Sequence, residues 1–413
     1  MLRRFALYGF LKNQRYFEPF IILFFLQRGL SFTEIGFLVA IRELCINLME
    51  VPSGAVADLF GRRKSMMLSF VAYIASFVVF GFGYLYWQLA IAMVLFAVGE
   101  AFRTGTHKAM IFTWLRDQGR LEEKTKVYGY TRSWSKIGSA LSTVIAVAIV
   151  FVFQDYSWVF WLAVAPYVAG FINLLGYPSS LEGQPVSSVC LGAVGHHLWR
   201  CARNAVAIPS LRRLIVESMT FEGVFKAFED YLQPMVRNAA LLLPIFVGLA
   251  VERRTALLVG FVYVVLYLGS ALASRHAHVL PDRTGSQERG IRALWGLAVV
   301  AYVIMVPLLF YEHYYLAIAG FVVLALAQNV WRPIQVSRFD EFAGEQEGAT
   351  ILSIESQSRS LCTMLVAPVL GASVDLARAQ SAGGEFWPVA AIAAAIAVTM
   401  LLAHGRGLAL TRT

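Results

Sequence analysis

Charge is scarce in this 413-residue chain. Asp, Glu, Lys and Arg make up 15% of it, against about 25% in a soluble domain. Hydrophobic residues reach 58% and mean hydropathy is +0.63. One aqueous core cannot hide so much apolar surface, so lipid must solvate part of it. Cysteine is nearly as scarce. Cys45 and Cys362 fall inside apolar runs, Cys190 and Cys201 lie in a central polar stretch, and the spacing matches neither a zinc site nor a redox pair. No Asn-x-Ser/Thr sequon marks a glycosylated loop. No metal-ligand set, nucleophile elbow or phosphate loop is present, which argues against an enzyme and against a cofactor or metal. Acids are the rarer charge, leaving a net +9. Nucleic acid is excluded as a partner, because the bases sit in short loops between apolar runs, where positive-inside orientation puts them.

The chain does have long apolar runs. About twelve of spanning length can be laid down: 5–27, 33–57, 65–86, 88–114, 127–152, 158–177, 210–235, 255–274, 292–310, 315–337, 349–375 and 386–404. The start, Met1-Leu-Arg3-Arg4 and an apolar run, resembles a signal peptide. Lys12-Asn13-Gln14-Arg15 interrupts it and no small-residue cleavage site follows, so it is read as the first retained span. Ser31-Phe-Thr-Glu34 is a capping box opening the second span. Loop bases place both termini in the cytoplasm. The expected organisation is an N-terminal six-helix bundle at 1–177, a cytoplasmic linker at 178–209, and a C-terminal six-helix bundle at 210–413. His196-His197-Leu-Trp-Arg200 in the linker reads as a basic amphipathic helix on the membrane surface. Residues 239–251 are too short to span and read as an interfacial or helix-extending piece. The halves echo one another: Tyr16-Phe-Glu18-Pro19 and Tyr231-Leu-Gln233-Pro234; Glu100-x-x-Arg103 and Asn329-x-x-Arg332; Arg132-Ser-Trp-Ser-Lys136 and Glu355-Ser-Gln-Ser-Arg359.

Between the second and third runs stands Gly54-Ala-Val-Ala-Asp58-Leu-Phe-Gly61-Arg62-Arg63. Gly-x-x-x-Asp-x-x-Gly-Arg-Arg resembles the loop between helices 2 and 3 of the major facilitator superfamily, a large family of secondary transporters. The resemblance implies an all-α polytopic membrane protein of two pseudo-symmetric six-helix bundles, with a site between repeats near the midplane. It implies that Gly54, Asp58, Gly61, Arg62 and Arg63 steady one access state. Leu59 stands where the family usually has a base, and the equivalent loop around Ser274-Arg275-His276 has lost the pattern. Span 5 has Gly138 but no Gly-Pro pair, so drug/proton antiport finds no support there.

Ionisable residues inside spans are costly and need partners or a wet cavity. Here they concentrate in spans 1, 4, 7 and 10 and in 2, 5 and 11. Every third helix, starting from 3, is dry, which matches the family's cavity-lining, flanking and lipid-facing sets. Glu222–Lys226, Glu355–Arg359, Arg15–Glu18 and Glu100–Arg103 have the spacing of same-face pairs. Arg132 and Lys136 share a face with no acid in their own helix, so they need a partner from elsewhere or an anionic solute. Bases dominate the N-terminal spans and acids the C-terminal ones, so bridges such as Lys136 with Glu222 or Glu229 are expected to close one side. The expected solute is small and polar, anionic or zwitterionic. It would be held by Arg15, Arg103, Lys136, Arg332 and Arg359, oriented by Asn13, Gln328 and Asn329, and packed by Tyr16, Tyr231 and Trp134. Glu43, Glu100 and Glu222 are the candidate proton carriers. A monomer in a bacterial-type inner or plasma membrane is expected. Efflux of amphiphilic drugs or lysolipids is one alternative; a non-transporting receptor or scaffold on the same fold is another.

Overall fold

The computed structural model describes the chain except for residues 105, 183–202, 204–206, 245, 341–347, 382 and 411–413, and except for the side chains of 51, 55, 58–60, 125, 340, 348–350 and 404–410. Among the described residues there is no strand. The first helices are α1 (Leu2–Lys12), α2 (Ile21–Gln27), α3 (Phe32–Phe60), α4 (Arg62–Phe82), α5 (Tyr86–Arg103), α6 (Thr106–Asp117), α7 (Lys124–Phe153) and α8 (Trp158–Leu175). They are followed by α9 (Pro209–Glu229), α10 (Leu232–Leu242), α11 (Val251–Arg275), α12 (Val279–Thr284), α13 (Gln287–Phe310), α14 (Tyr314–Asp340), α15 (Gly348–Gln380) and α16 (Trp387–Leu410). Among the described residues, eight helical stretches are long and apolar enough to cross a membrane, and Trp387–Ala403 is a shorter apolar helix.

Two compact units emerge. Unit 1 comprises Met1–Gly29 and Ile41–His197; unit 2 comprises Leu30–Ala40 and Leu198–Thr413. The first turns of α3 therefore group with the C-terminal half, which the division at 178–209 does not foresee. Most of that linker, including His196, His197 and Arg200, lies outside the described residues.

Three apolar runs that the sequence reads as single spans are each broken into two helices, and proline explains two of the breaks. A proline cannot donate to, and clashes with, the carbonyl four residues earlier. For Pro19 that carbonyl belongs to Arg15, inside the gap between α1 and α2; for Pro234 it belongs to Asp230, the residue that ends α9. The Tyr-x-x-Pro echo thus interrupts a span at the same place in each half. The third break falls at Thr104, which is extended (ψ 129) after α5. Of the stretch 239–251, residues 239–242 extend α10, which the chain leaves after Leu242, and Val251 opens α11.

Helix starts follow from their caps. At α3, Ser31 Oγ accepts from the Glu34 amide (3.2 Å) and Glu34 accepts from the Ser31 amide (2.8 Å). Within unit 2, Asp375 of α15 adds to this cap by accepting from the Phe32 and Thr33 amides at 3.1 and 2.7 Å. A carboxylate here meets the positive end of the helix dipole. Ser286 caps α13 by accepting from the Arg289 amide. The cores are aromatic. In unit 1, Phe160 stacks on Phe17 and Phe80, and Tyr167 meets Phe77 and Tyr73 edge-on. In unit 2, Phe228 stacks on Phe321 and meets Tyr302 edge-on. Such pairs add about 0.5–1.5 kcal/mol each beyond burial.

Candidate functional site

Unit 1 holds a cavity of about 390 Å³ where α1, α6 and α7 converge with the end of α5. Two glycines let α1 and α7 lie close. A Cβ at Gly138 would stand 2.6 Å from the Phe10 carbonyl oxygen, and one at Gly9 would stand 2.9 Å from that of Thr131. Gln14 crosses the same seam, donating to the Gly138 carbonyl at 3.2 Å. The approach brings Lys12 and Asn13 on α1 beside Arg132 and Lys136 on α7, with Lys108 on α6 and Arg103 at the end of α5 completing the basic wall. Among the described residues, no Asp or Glu lines the cavity.

The cations divide by partner. Arg103 pairs with Glu100, and its Nε donates to the Tyr73 hydroxyl at 3.1 Å. Lys108 sits over the rings of Phe112 and Tyr128, 5.5 and 5.6 Å from their centroids. Among the described residues, Lys12, Lys108, Arg132 and Lys136 form no ion pair with an acid. Lys108, Arg132 and Lys136 are exposed. Most of the neutral lining groups bond to backbone carbonyls, while the buried Tyr8 hydroxyl has no partner among the described residues. Thr131 donates to the Tyr128 carbonyl at 2.9 Å, Ser135 to Thr131 at 3.3 Å, Ser139 to Ser135 at 3.2 Å, and Asn13 to Gly9 at 2.6 Å. At one end the His107 ring stacks on Tyr8 at 3.7 Å and reaches the Tyr177 hydroxyl at 3.3 Å.

Beside this cavity Glu100 is shared by Arg15 and Arg103. Arg15 therefore bonds across to another span. Unit 2 carries a larger network. Glu355, fully buried, receives Arg332 at 2.7 Å, Arg359 at 2.9 Å, and the Ser218 hydroxyl. Glu222 is held by Arg332 at 3.2 Å and by Arg359. A turn away, Glu217 takes Arg213 and Arg338, each at 2.9 Å. Above this network Trp331, fully buried, stacks on Phe221 at 4.0 Å.

The residues that the sequence grouped as one solute site fall in both units. Asn13, Arg103 and Lys136 line the unit 1 cavity. Arg15 sits in the Glu100 pair, and Arg332 and Arg359 sit in the unit 2 network. Asn329 bonds Ser270 at 3.0 Å. Tyr16 and Tyr231 are buried and Trp134 is exposed. The same-helix pairs Glu100–Arg103 and Glu355–Arg359 form as their spacing predicts. Glu222 meets two guanidiniums of its own unit, those of Arg332 and Arg359. Glu43 is buried against Arg42 at 2.9 Å. In the polar loop, Gly61 adopts φ +97, a conformation that favours glycine, while a Cβ at Gly54 would meet no described atom within 4 Å. Arg62 donates to Thr113 (2.8 Å) and Arg63 to the Tyr177 carbonyl (2.9 Å), fastening the start of α4. The Asp58 side chain lies outside the described ones. Sequence reasoning did not single out Tyr8, His107, Lys108, Thr131, Ser135 and Ser139. The available signal was the four-residue spacing of Thr131, Ser135 and Ser139 alongside Arg132 and Lys136.

The sequence profile of the Major Facilitator Superfamily matches residues 13–367. A curated relative, an uncharacterised MFS-type transporter, YxaM, of Bacillus subtilis (strain 168), is 29% identical over 99 residues. That match spans 24% of this chain and 24% of the relative. Among solved structures, the nucleoside transporter NupG superposes with a TM-score of 0.77 at 12% identity, covering 98% of each chain. A peptide transporter POT in complex with sulfate gives 0.68 at 12% identity over 98% of this chain and 94% of that one. A D-xylose-proton symporter gives 0.67 at 16% identity over 97% and 95%. At these identities the superpositions establish a common fold.

Proposed function

The chain belongs to the Major Facilitator Superfamily, whose members are multi-pass membrane transporters, and from that premise we propose that it is a secondary transporter of a small anionic solute, working by alternating access. One observation carries the choice of solute: the unit 1 cavity has a basic wall with no acid in its lining. Its volume is in the range of small-molecule sites, about 300–1,000 Å³. In this reading Lys12, Arg132 and Lys136 attract the anion, with Arg103 and Lys108 at the edge and Asn13 beside them. Arg15, Arg332 and Arg359 support the bundles through carboxylates. Glu100 and Glu222 do the same, because taking up a proton would break two ion pairs at once; this favours a structural role for them over proton carriage. The solved relatives are named for nucleosides, peptides and xylose, so the shared fold leaves the solute to the lining of each protein's own cavity. Orientation follows the loop bases, with both termini cytoplasmic in a bacterial-type inner or plasma membrane, and the working unit is a monomer.

The test is a thermal-shift screen of the purified protein against small anions, amino acids and cationic drugs, followed by flux in liposomes with any stabilising compound. Anions are expected to stabilise the protein and to enter. Stabilisation by cationic or uncharged amphiphiles alone, with flux indifferent to Arg132→Ala and Lys136→Ala, would replace this reading with drug or lysolipid export. Binding without flux would favour the receptor alternative.

A further inference from the structure

We infer that the solute carries more than one negative charge and that the protein runs only as an exchanger, releasing one anion for each it takes up. This rests on the unit 1 cavity being the solute site. The cations that lack an acid partner come from three helices: Lys12 from α1, Lys108 from α6, and Arg132 and Lys136 from α7. They surround one volume and do not form a stripe along a single helix. A monoanion would neutralise only one of them. Of the neutral donors, Thr131, Ser135 and Ser139 spend their hydroxyl hydrogens and Asn13 one amide hydrogen on backbone carbonyls, which leaves the second Asn13 hydrogen and the unpartnered Tyr8 hydroxyl to orient a solute beside the cations. A phosphate ester or a dicarboxylate would find charge on several sides.

Exchange follows from the same charges. Alternating access takes the site through a state shut off from bulk water on both sides. Closing on unpaired cations is opposed by their lost hydration, and that opposition grows with each charge left without a partner. A multiply charged anion removes it, so the loaded carrier can turn over and the empty one stalls. Among the described residues no acid lines the cavity to substitute for the anion.

The experiment uses the full chain in phosphatidylcholine liposomes, with labelled inorganic phosphate, succinate and lactate as probes and chloride-free buffer. Each probe is offered to empty vesicles and to vesicles preloaded with the same unlabelled compound. Phosphate or succinate should enter preloaded vesicles about tenfold faster than empty ones, and faster than lactate, with the advantage reduced in Lys136→Gln and Arg132→Gln. Equal entry into empty and loaded vesicles would overturn exchange. Lactate entering as well as the dianions would overturn the charge requirement while leaving anion transport standing. Failure of all three probes to bind or move, with a neutral or cationic solute carried instead, would remove both this inference and the function it rests on.

Discussion

Glu355 has no exposed surface and holds two guanidiniums and a hydroxyl. Replacing it by Gln strands Arg332 and Arg359 on one side, and breaking a buried pair typically costs about 3–5 kcal/mol. Glu355→Gln should lower the thermal unfolding midpoint in detergent strongly, and Glu100→Gln should do the same through Arg15 and Arg103. Lys136 is the opposite case. It is exposed and pairs with no acid among the described residues, so Lys136→Ala should leave unfolding unchanged. Losing one charged contact of about 1.5–3 kcal/mol should weaken apparent affinity for an anionic solute by roughly tenfold or more, read as KM in flux assays with kcat less affected. Spacing in the sequence exposed Glu100–Arg103 and Glu355–Arg359 because partners three or four apart share a helix face. It could not expose Arg15–Glu100 or Arg332–Glu222, whose partners are distant in the chain and meet only when the helices pack.

Reading 5–27, 88–114 and 210–235 as single spans misses the helix breaks, although a signal for two of them is present. The repeated Tyr-x-x-Pro was visible as an echo between halves, and proline chemistry turns it into a break at Arg15 and at Asp230. The seam of α1 and α7 was not visible, since nothing in the sequence says that Gly138 faces Phe10. Gly138→Val puts a branched side chain where a bare Cβ already stands 2.6 Å from a carbonyl oxygen. Overpacking of this kind costs about 1–3 kcal/mol. The variant should unfold earlier and lose anion binding together, because the seam forms the cavity wall; a stable variant with normal binding would show that α1 can retreat. At the start of α3, Asp375→Ala removes a carboxylate from two backbone amides and should cost about 1 kcal/mol, the scale of a lost N-cap. Solute affinity should be untouched, since Asp375 and the cavity belong to different units.

At the scale of the whole molecule, the alternation of polar and dry spans agreed with the resemblance that the Gly54–Arg63 loop carried, because burying charge is costly and confines it to few helices. What the alternation hid was an asymmetry between the units. In unit 2, Arg332, Arg338 and Arg359 are each met by glutamates; in unit 1, four cavity cations are not. Composition by half shows only which sign predominates, and pairing depends on packing. Added salt should therefore weaken solute binding by screening the exposed cavity cations, while the thermal stability of the network around Glu355 changes little. A titration of binding and unfolding against ionic strength checks both.

The buried aromatic group of unit 2 has an optical consequence. Trp331 and Trp295 are almost fully shielded, cross at 84° with centroids 5.6 Å apart, and both contact Phe221. Their emission is fixed by a dry, rigid surrounding, whereas Trp134, Trp158 and Trp87 of unit 1 face outward. Unfolding of the C-terminal half will thus announce itself as a red shift of its own colour, a built-in dye that needs no labelling chemistry.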